Sequence, residues 1–303
     1  MADAQVVAVV GAGLMGHGIA QVFATAGHRV LIYDPDPAVR ATVRERIASN
    51  LAALDRDPRA VDRVETAAGI PAAVRAADAV IEAGPENLEL KRRIFAEIEA
   101  SAPTRALLAS NTSVIPITQI MRDLAHPDRA LGTHWWNPPH LVPLVEVIKT
   151  TRTLAAAVEA MTGLLRQAGK TPVTVHKDVP GFVGNRLQHA LWREAIALVA
   201  DGVCDAETVD TVVKASFGRR LAVLGPLENA DLVGTDLTLA IHETVLADLD
   251  RSPGPSPYLR ALVSAGKLGM KTGEGFRRWT AASQTALRER VAAFLKHLND
   301  RGV

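Results

Sequence analysis

The chain has 303 residues, with 34 Lys and Arg against 33 Asp and Glu. Two domains are expected at this length, and the net charge of +1 excludes the concentrated basic face that nucleic acid or an anionic membrane surface requires. Apolar residues make up 48% and charged residues 22%, a globular composition that excludes a disordered chain.

No Lys or Arg precedes Arg29 and the first apolar run is interrupted at His17, so neither a signal peptide nor a membrane span is expected. Residues 6–10, Val-Val-Ala-Val-Val, read as a strand buried on both faces of a parallel sheet. A glycine-rich turn, a helix over 16–26 closed by Gly27, and a second apolar strand over 30–34 complete a βαβ unit. Residues 35–76 read as helical, broken by Pro58, Gly69 and Pro71. Further strands are expected at 79–82, 106–109, 130–133, 144–148 and 173–175, with helices over 87–99 and 154–168. This alternation predicts a doubly wound α/β domain over residues 1–178.

Beyond residue 178 the strand pattern stops. One long helix is expected over 180–201, a second capped by Asp205, a third opened by Pro226, and a last one marked by Leu287, Val291, Leu295 and Leu298. Residues 179–303 thus read as an all-helical domain, with a proline-rich surface loop over 251–257. Its Cys204 is the only cysteine of the chain, so no intrachain disulfide forms and a reducing, cytoplasmic compartment is expected.

Gly11-Ala12-Gly13-Leu14-Met15-Gly16 is a G-x-G-x-x-G turn that follows a strand and opens a helix. Gly11 permits the tight turn, Gly13 the approach of a pyrophosphate, and Gly16 the close packing of helix on strand. Free N–H groups at the helix start, from Leu14 onward, suit phosphate. Asp34, eighteen residues past Gly16, ends the next strand, where its carboxylate accepts hydrogen bonds from both ribose hydroxyls and repels a 2′-phosphate. These features predict NAD rather than NADP.

His134 stands at a strand end, followed by Trp135-Trp136 and a double proline. Twelve residues on, Glu146 interrupts the apolar strand Leu144-Val145-Glu146-Val147-Ile148. A carboxylate inside such a strand needs a partner, and His134 is the obvious one. An imidazole held by a carboxylate serves as a general base with a fixed tautomer, although the pair alone is as readily a structural one. Ser110-Asn111-Thr112-Ser113 follows a strand at the edge where ligands approach such sheets, and Asn185 follows Pro180-Gly181-Phe182 near the domain junction. In isolation each of these two features reads as an ordinary polar turn or surface amide.

Together the motifs resemble the 3-hydroxyacyl-CoA dehydrogenase family over nearly the whole chain. The matching stretches are the glycine loop, Pro85-Glu86-Asn87 with Lys91, Ser110 to Ser113, His134 with Asn137-Pro138, Leu144 to Val147, and Lys177-Asp178 through Asn185-Arg186. They continue at Gly225-Pro226 and from Gly266-Lys267 to Gly275-Phe276. The resemblance implies a Rossmann-type domain followed by a helical one, NAD, no metal, and a homodimer formed through the helical part. It also implies that His134 takes the hydroxyl proton, Glu146 orients it, and Ser113 and Asn185 hydrogen-bond the reacting oxygen. Glu86, Lys91 and Asn111 match positions that line the cofactor's ribose and nicotinamide end.

Family members acting on acyl-CoA carry a longer helical hairpin after the second strand, with Lys and Ser that contact CoA. Here residues 35–76 contain no lysine. Those members also show Phe-Phe-Asn-Pro where this chain has Trp135-Trp136-Asn137-Pro138, and a different loop at Gly218-Arg219-Arg220. Both variants look more like branches that oxidise free hydroxy acids, such as gulonate and carnitine dehydrogenases, and like an alcohol dehydrogenase of pyridine-carboxylate catabolism. Arg220 suits a substrate carboxylate, and Trp135 with Trp136 would close one pocket wall. The expected substrate is therefore a small free 3-hydroxy acid. An (S)-3-hydroxyacyl-CoA such as 3-hydroxybutyryl-CoA is the alternative, and a non-catalytic NAD-binding protein a further one.

Overall fold

The computed structural model describes residues 4–301. It divides into two compact units, Met1–Arg186 and Leu187–Val303.

The first unit is built on one eight-stranded sheet: β1 (Val6–Val10), β2 (Arg29–Tyr33), β3 (Val64–Thr66), β4 (Ala79–Glu82), β5 (Leu107–Ser110), β6 (Ala130–Trp135), β7 (Leu144–Ile148) and β8 (Thr171–Val175). Their spatial order is β3-β2-β1-β4-β5-β6-β7-β8. Every neighbouring pair is parallel except β6 with β7. The strand order reverses between β1 and β4, and ligands bind such sheets outside the carboxyl ends at that switch point.

Alternation along the strands sorts the core into two layers. On one face Val7, Val9, Ile32 and Ile81 pack with Ile19 and Phe23 of α1 (Leu14–Thr25), Ile47 and Leu51 of α2 (Pro37–Ala53), and Met161 and Leu165 of α6 (Ala155–Gln167). On the other, Ala8, Val10 and Val80 pack with Val74 of α3 (Ile70–Val74), Phe95 and Ile98 of α4 (Leu88–Ser101), and Ile117 of α5 (Ile117–Ile120). Asp36 caps α2 by accepting from Ala38 N at 2.8 Å, with Pro37 in the first turn. Asn87 caps α4 by accepting from Leu90 N at 2.9 Å.

The stretch 35–76, expected to be helical, also holds β3. Three residues reading Val-Glu-Thr carry no period to recognise, and their pairing with β2 comes from the sheet. The second unit contains α7 (Gly184–Ala200, which begins in the first unit), α8 (Ala206–Ala215), α9 (Pro226–Val233), α10 (Thr235–Val245), α11 (Pro257–Ser264) and α12 (Ala281–Arg301). Asp205 caps α8 by accepting from Thr208 N at 2.7 Å. The units part after Arg186, eight residues beyond the expected boundary, because segment 182–185 is hydrogen-bonded to residues of the first unit.

Candidate active site

The turn after β1 has the geometry that its glycines imply. Gly11 has φ +105°, and a Cβ there would stand 2.7 Å from the carbonyl carbon of Ala83. A Cβ on Gly16 would stand 1.7 Å from the Gly11 oxygen, so only glycine lets α1 start this close to the strand. Among the described residues, no atom beyond Gly13 and its two chain neighbours lies within 4 Å of a Cβ built on Gly13, which leaves the outer side of the turn open. Gly13 also caps α1 without a side-chain bond, so the first-turn N–H groups, beginning at the exposed Leu14, are not taken by a capping side chain. Met15 instead packs partly buried against the core. The Asp34 carboxylate accepts from Ala12 N at 2.8 Å and from Asp36 N at 3.0 Å, which fixes it beside the turn with lone pairs to spare for a ribose diol.

Behind the turn lie two residues that the sequence reading missed. Arg46 of α2 donates to the carbonyls of Ala12 at 2.8 Å, Val39 at 3.2 Å and Gly13 at 3.4 Å. His17 Nδ1 lies 2.7 Å from the Gly13 carbonyl. Burial pushes the His17 pKa down; the Gly13 bond opposes this and the Arg46 charge adds to it, which favours a neutral ring donating to that carbonyl. The loop carbonyls are thus held from the α2 side. An open cradle of N–H groups with an anchored acid at its edge fits NAD.

At the carboxyl ends of β4 and β5, three fully buried groups meet. Lys91 Nζ donates to Glu82 Oε1 at 2.8 Å, Glu82 Oε2 at 3.0 Å and the Gly84 carbonyl at 3.2 Å. Ser110 Oγ donates to Glu82 Oε2 at 2.6 Å, and Gly84 N donates to Glu82 Oε1 at 2.7 Å. Lys91, expected to line the cofactor, is 0% exposed and spends its ammonium on Glu82. Its bond to the Gly84 carbonyl also holds the loop that leaves β4. The only sequence hint of its partner was an acid ending the apolar run of β4.

The following loop is tied across to the one after β5. Glu86 accepts from the Thr112 hydroxyl, from Ser113 N at 3.3 Å and from Val114 N at 3.4 Å. Asn111 Oδ1 accepts from Trp135 N at 3.0 Å, which links this loop to β6. Asn185 Nδ2 donates to the Ser113 carbonyl at 2.8 Å, so Ser113 and Asn185 meet through the Ser113 backbone.

The antiparallel register of β6 and β7 places His134 directly opposite Glu146. Both are almost wholly buried, at 3% and 1% exposed, and His134 Nδ1 lies 2.7 Å from Glu146 Oε2. The other carboxylate oxygen accepts from Val183 N at 2.9 Å and Gly184 N at 3.1 Å. Burial pushes the Glu146 carboxyl up, but the His134 bond and the two backbone N–H bonds outweigh it and hold the group below its ordinary range. An ionised Glu146 accepts the Nδ1–H, leaving Nε2 as the basic nitrogen.

Trp135 requires a correction. Successive strand residues point to opposite faces, so Trp135 turns away from His134. It is 2% exposed, packs edge-on against Phe23 of α1 and belongs to the core. The tryptophan beside His134 is Trp136, with ring centroids 5.3 Å apart. Arg220, exposed in the second unit, ends the short 3-10 turn Phe217–Arg219 and forms no salt bridge among the described residues.

Residues 6–179 match the family model described as 3-hydroxyacyl-CoA dehydrogenase, NAD binding domain, and residues 181–279 match its C-terminal domain. A relative from Mesorhizobium japonicum, 5-formyl-3-hydroxy-2-methylpyridine 4-carboxylate 5-dehydrogenase, is 37% identical over 93% of both chains. The solved structure of an enzyme with that activity, described as an NAD+ dependent dismutase, superposes with a TM-score of 0.91 at 36% identity, covering 98% of both chains. The structure of an (S)-3-hydroxybutyryl-CoA dehydrogenase from Ralstonia eutropha gives a TM-score of 0.76 at 34% identity, over 92% of this chain and 100% of that one.

Proposed function

Because the chain belongs to the 3-hydroxyacyl-CoA dehydrogenase family, NAD-dependent dehydrogenases acting on CH–OH, we propose that it oxidises the secondary alcohol of a small free hydroxy acid to the ketone. The buried His134–Glu146 pair carries the catalytic part of this reading. His134 Nε2 takes the hydroxyl proton as the carbinol carbon gives up its hydride. Glu146 holds the imidazole and stabilises the imidazolium that forms. The Ser113 hydroxyl and the Asn185 amide hydrogen-bond the reacting oxygen, and the loop ties of Glu86 and Asn111 set the place of Ser113. NAD, when bound, supplies the hydride acceptor. Gly11, Gly13, Gly16 and the N–H groups from Leu14 and Met15 would hold its diphosphate, and Asp34 its ribose.

The choice of a free acid is supported by the segment after β2. One 17-residue helix, α2, passes through the 3-10 turn Pro58–Arg63 directly into β3, and no lysine is present to meet the phosphates of CoA. The fit to the pyridine-carboxylate dehydrogenase over the whole chain, closer than to the hydroxybutyryl-CoA enzyme, points the same way. Arg220 is the proposed partner of the substrate carboxylate. NADH formation with free 3-hydroxy acids and their CoA thioesters side by side tests the reading. The expected result is turnover of a free acid that Arg220→Ala weakens through KM, by about tenfold or more for a lost charge-assisted bond. A far higher kcat/KM for 3-hydroxybutyryl-CoA would establish the acyl-CoA alternative, and no turnover of either class would leave the non-catalytic one.

A homodimer through the helical unit belongs to the same proposal. None of the residues of α7 to α12 is buried, and Leu187, Trp192, Leu239 and Phe294 are all exposed. A 630 Å³ apolar groove lined by Trp192, Ile196, Leu262, Phe276 and Trp279 lies within this unit. Apolar surface on this scale calls for a covering partner, and a second copy provides it. The single Cys204 and the NAD chemistry suit a reducing, cytoplasmic setting.

A further inference from the structure

Among the described residues the His134 imidazole has one hydrogen-bond partner, Glu146 at Nδ1, so the tilt of the ring also depends on what packs against its faces. Two aromatic rings from separate segments contact it: Trp136 at 5.3 Å and 54°, and Phe182 at 5.6 Å and 51° between planes. Phe182 is 1% exposed and has φ +51°, a left-handed conformation that costs energy for any residue with a Cβ. In that conformation Val183 and Gly184 direct both their N–H groups to one oxygen of Glu146. Gly184 has a second consequence. A Cβ on it would stand 2.4 Å from Trp136 Cζ2 and 3.3 Å from Cε2, so the indole occupies the space that a side chain at 184 would fill.

We propose that Trp136, Phe182 and Gly184 form a positioning frame for His134, in which the two rings hold the imidazole plane and the bare Gly184 backbone makes room for the indole. The frame rests on the reading of His134 as the proton acceptor. It explains why a strained Phe stands at 182 and a glycine at the start of α7, where alanine would make the better helix. None of the three residues touches the reacting atoms. They act by keeping Nε2 in line with the hydroxyl proton.

The test is a set of variants assayed for kcat, NAD affinity and the pH dependence of kcat. Gly184 is not left-handed, so Gly184→Ala leaves the backbone unstrained and the Glu146 bond intact while displacing the indole. The expected loss is about ten- to a hundredfold in kcat, the scale of a small misplacement of a catalytic group, with NAD affinity unchanged and the pH profile shifted. Trp136→Phe removes the clashing ring atoms and forfeits no hydrogen bond, since the buried Nε1 has no partner among the described residues. The double variant should therefore recover most of what Gly184→Ala loses. Wild-type kcat and pH profile in Gly184→Ala, or a double variant no faster than the single one, would overturn the frame. Should Gly184→Ala not fold, Phe182→Leu gives the second measurement: lower kcat and a moved pH profile support the frame, and no change in either overturns it. His134→Ala runs alongside. If it retains the rate, the base itself is wrongly assigned; if it alone loses the rate, only the frame falls.

Discussion

Single side chains of this protein owe their roles to what the backbone offers them. Asp34 is anchored by two backbone N–H groups, and in the proposed reading its remaining lone pairs and charge set the choice of nucleotide. Asp34→Asn keeps its size and an acceptor oxygen while removing the charge that repels a 2′-phosphate, so it should narrow the preference for NAD over NADP. Steady-state constants with both nucleotides measure this, and wild-type preference for NADP would contradict the assignment. Glu146 makes a prediction about pH. Its folded pKa lies below the ordinary 4.5, so its contribution to stability is complete above pH 4.5 and is lost as pH falls through the lowered value. The stability gap between wild type and Glu146→Gln should therefore be constant near neutrality and close on acidification. Denaturant unfolding at several pH values tests it, and a gap that widens in acid would show the opposite shift.

Among the elements, the ends of β4 and β5 join structure to function most directly. Glu82, Lys91 and Ser110 are buried together, and the loop that leaves β4 hangs from them by both the N–H and the carbonyl of Gly84. Removing one partner of a buried pair leaves the other charge uncompensated, at a cost of about 3–5 kcal/mol. Lys91→Met should destabilise by that amount and raise KM for NAD through a displaced Glu86 loop. Glu82→Gln combined with Lys91→Met should cost less than the two changes summed, because no buried charge is left. Urea unfolding of the single and double variants decides this, and strict additivity would mean that the pair is not coupled.

For the molecule as a whole, the two units differ in how far each accounts for itself. The first buries a layer of core residues on each face of its sheet, whereas the described residues of α7 to α12 include none that is buried. A dimer built through that unit should sediment as two chains, and its thermal midpoint should rise with protein concentration, as mass action requires. A monomer with a concentration-independent midpoint would remove the dimer from the proposal.

Read alone, the sequence determined whatever is local or strictly periodic. The glycine turn with Asp34 was legible because each glycine answers a steric demand within one βαβ unit, and Asp205 and Pro226 marked helix starts through capping chemistry that acts over three residues. The His134–Glu146 pair was legible from a charge that an apolar strand cannot bury alone. Tertiary structure decided what depends on faces and on distant partners. Trp135 and Trp136 are neighbours in sequence, yet the pleat of β6 sends Trp135 into the α1 layer, while Trp136, just past the strand, lies against His134. Lys91 reads from sequence as a cofactor ligand, but the fold of α4 back onto the end of β4 buries its ammonium against Glu82. Arg46 and His17 meet behind the glycine turn, and Phe182 takes its left-handed turn beside Glu146, only because the packed sheet fixes those distances. A short-range pattern records the conformation of its own segment, whereas a contact across dozens of residues exists only once the whole core has formed.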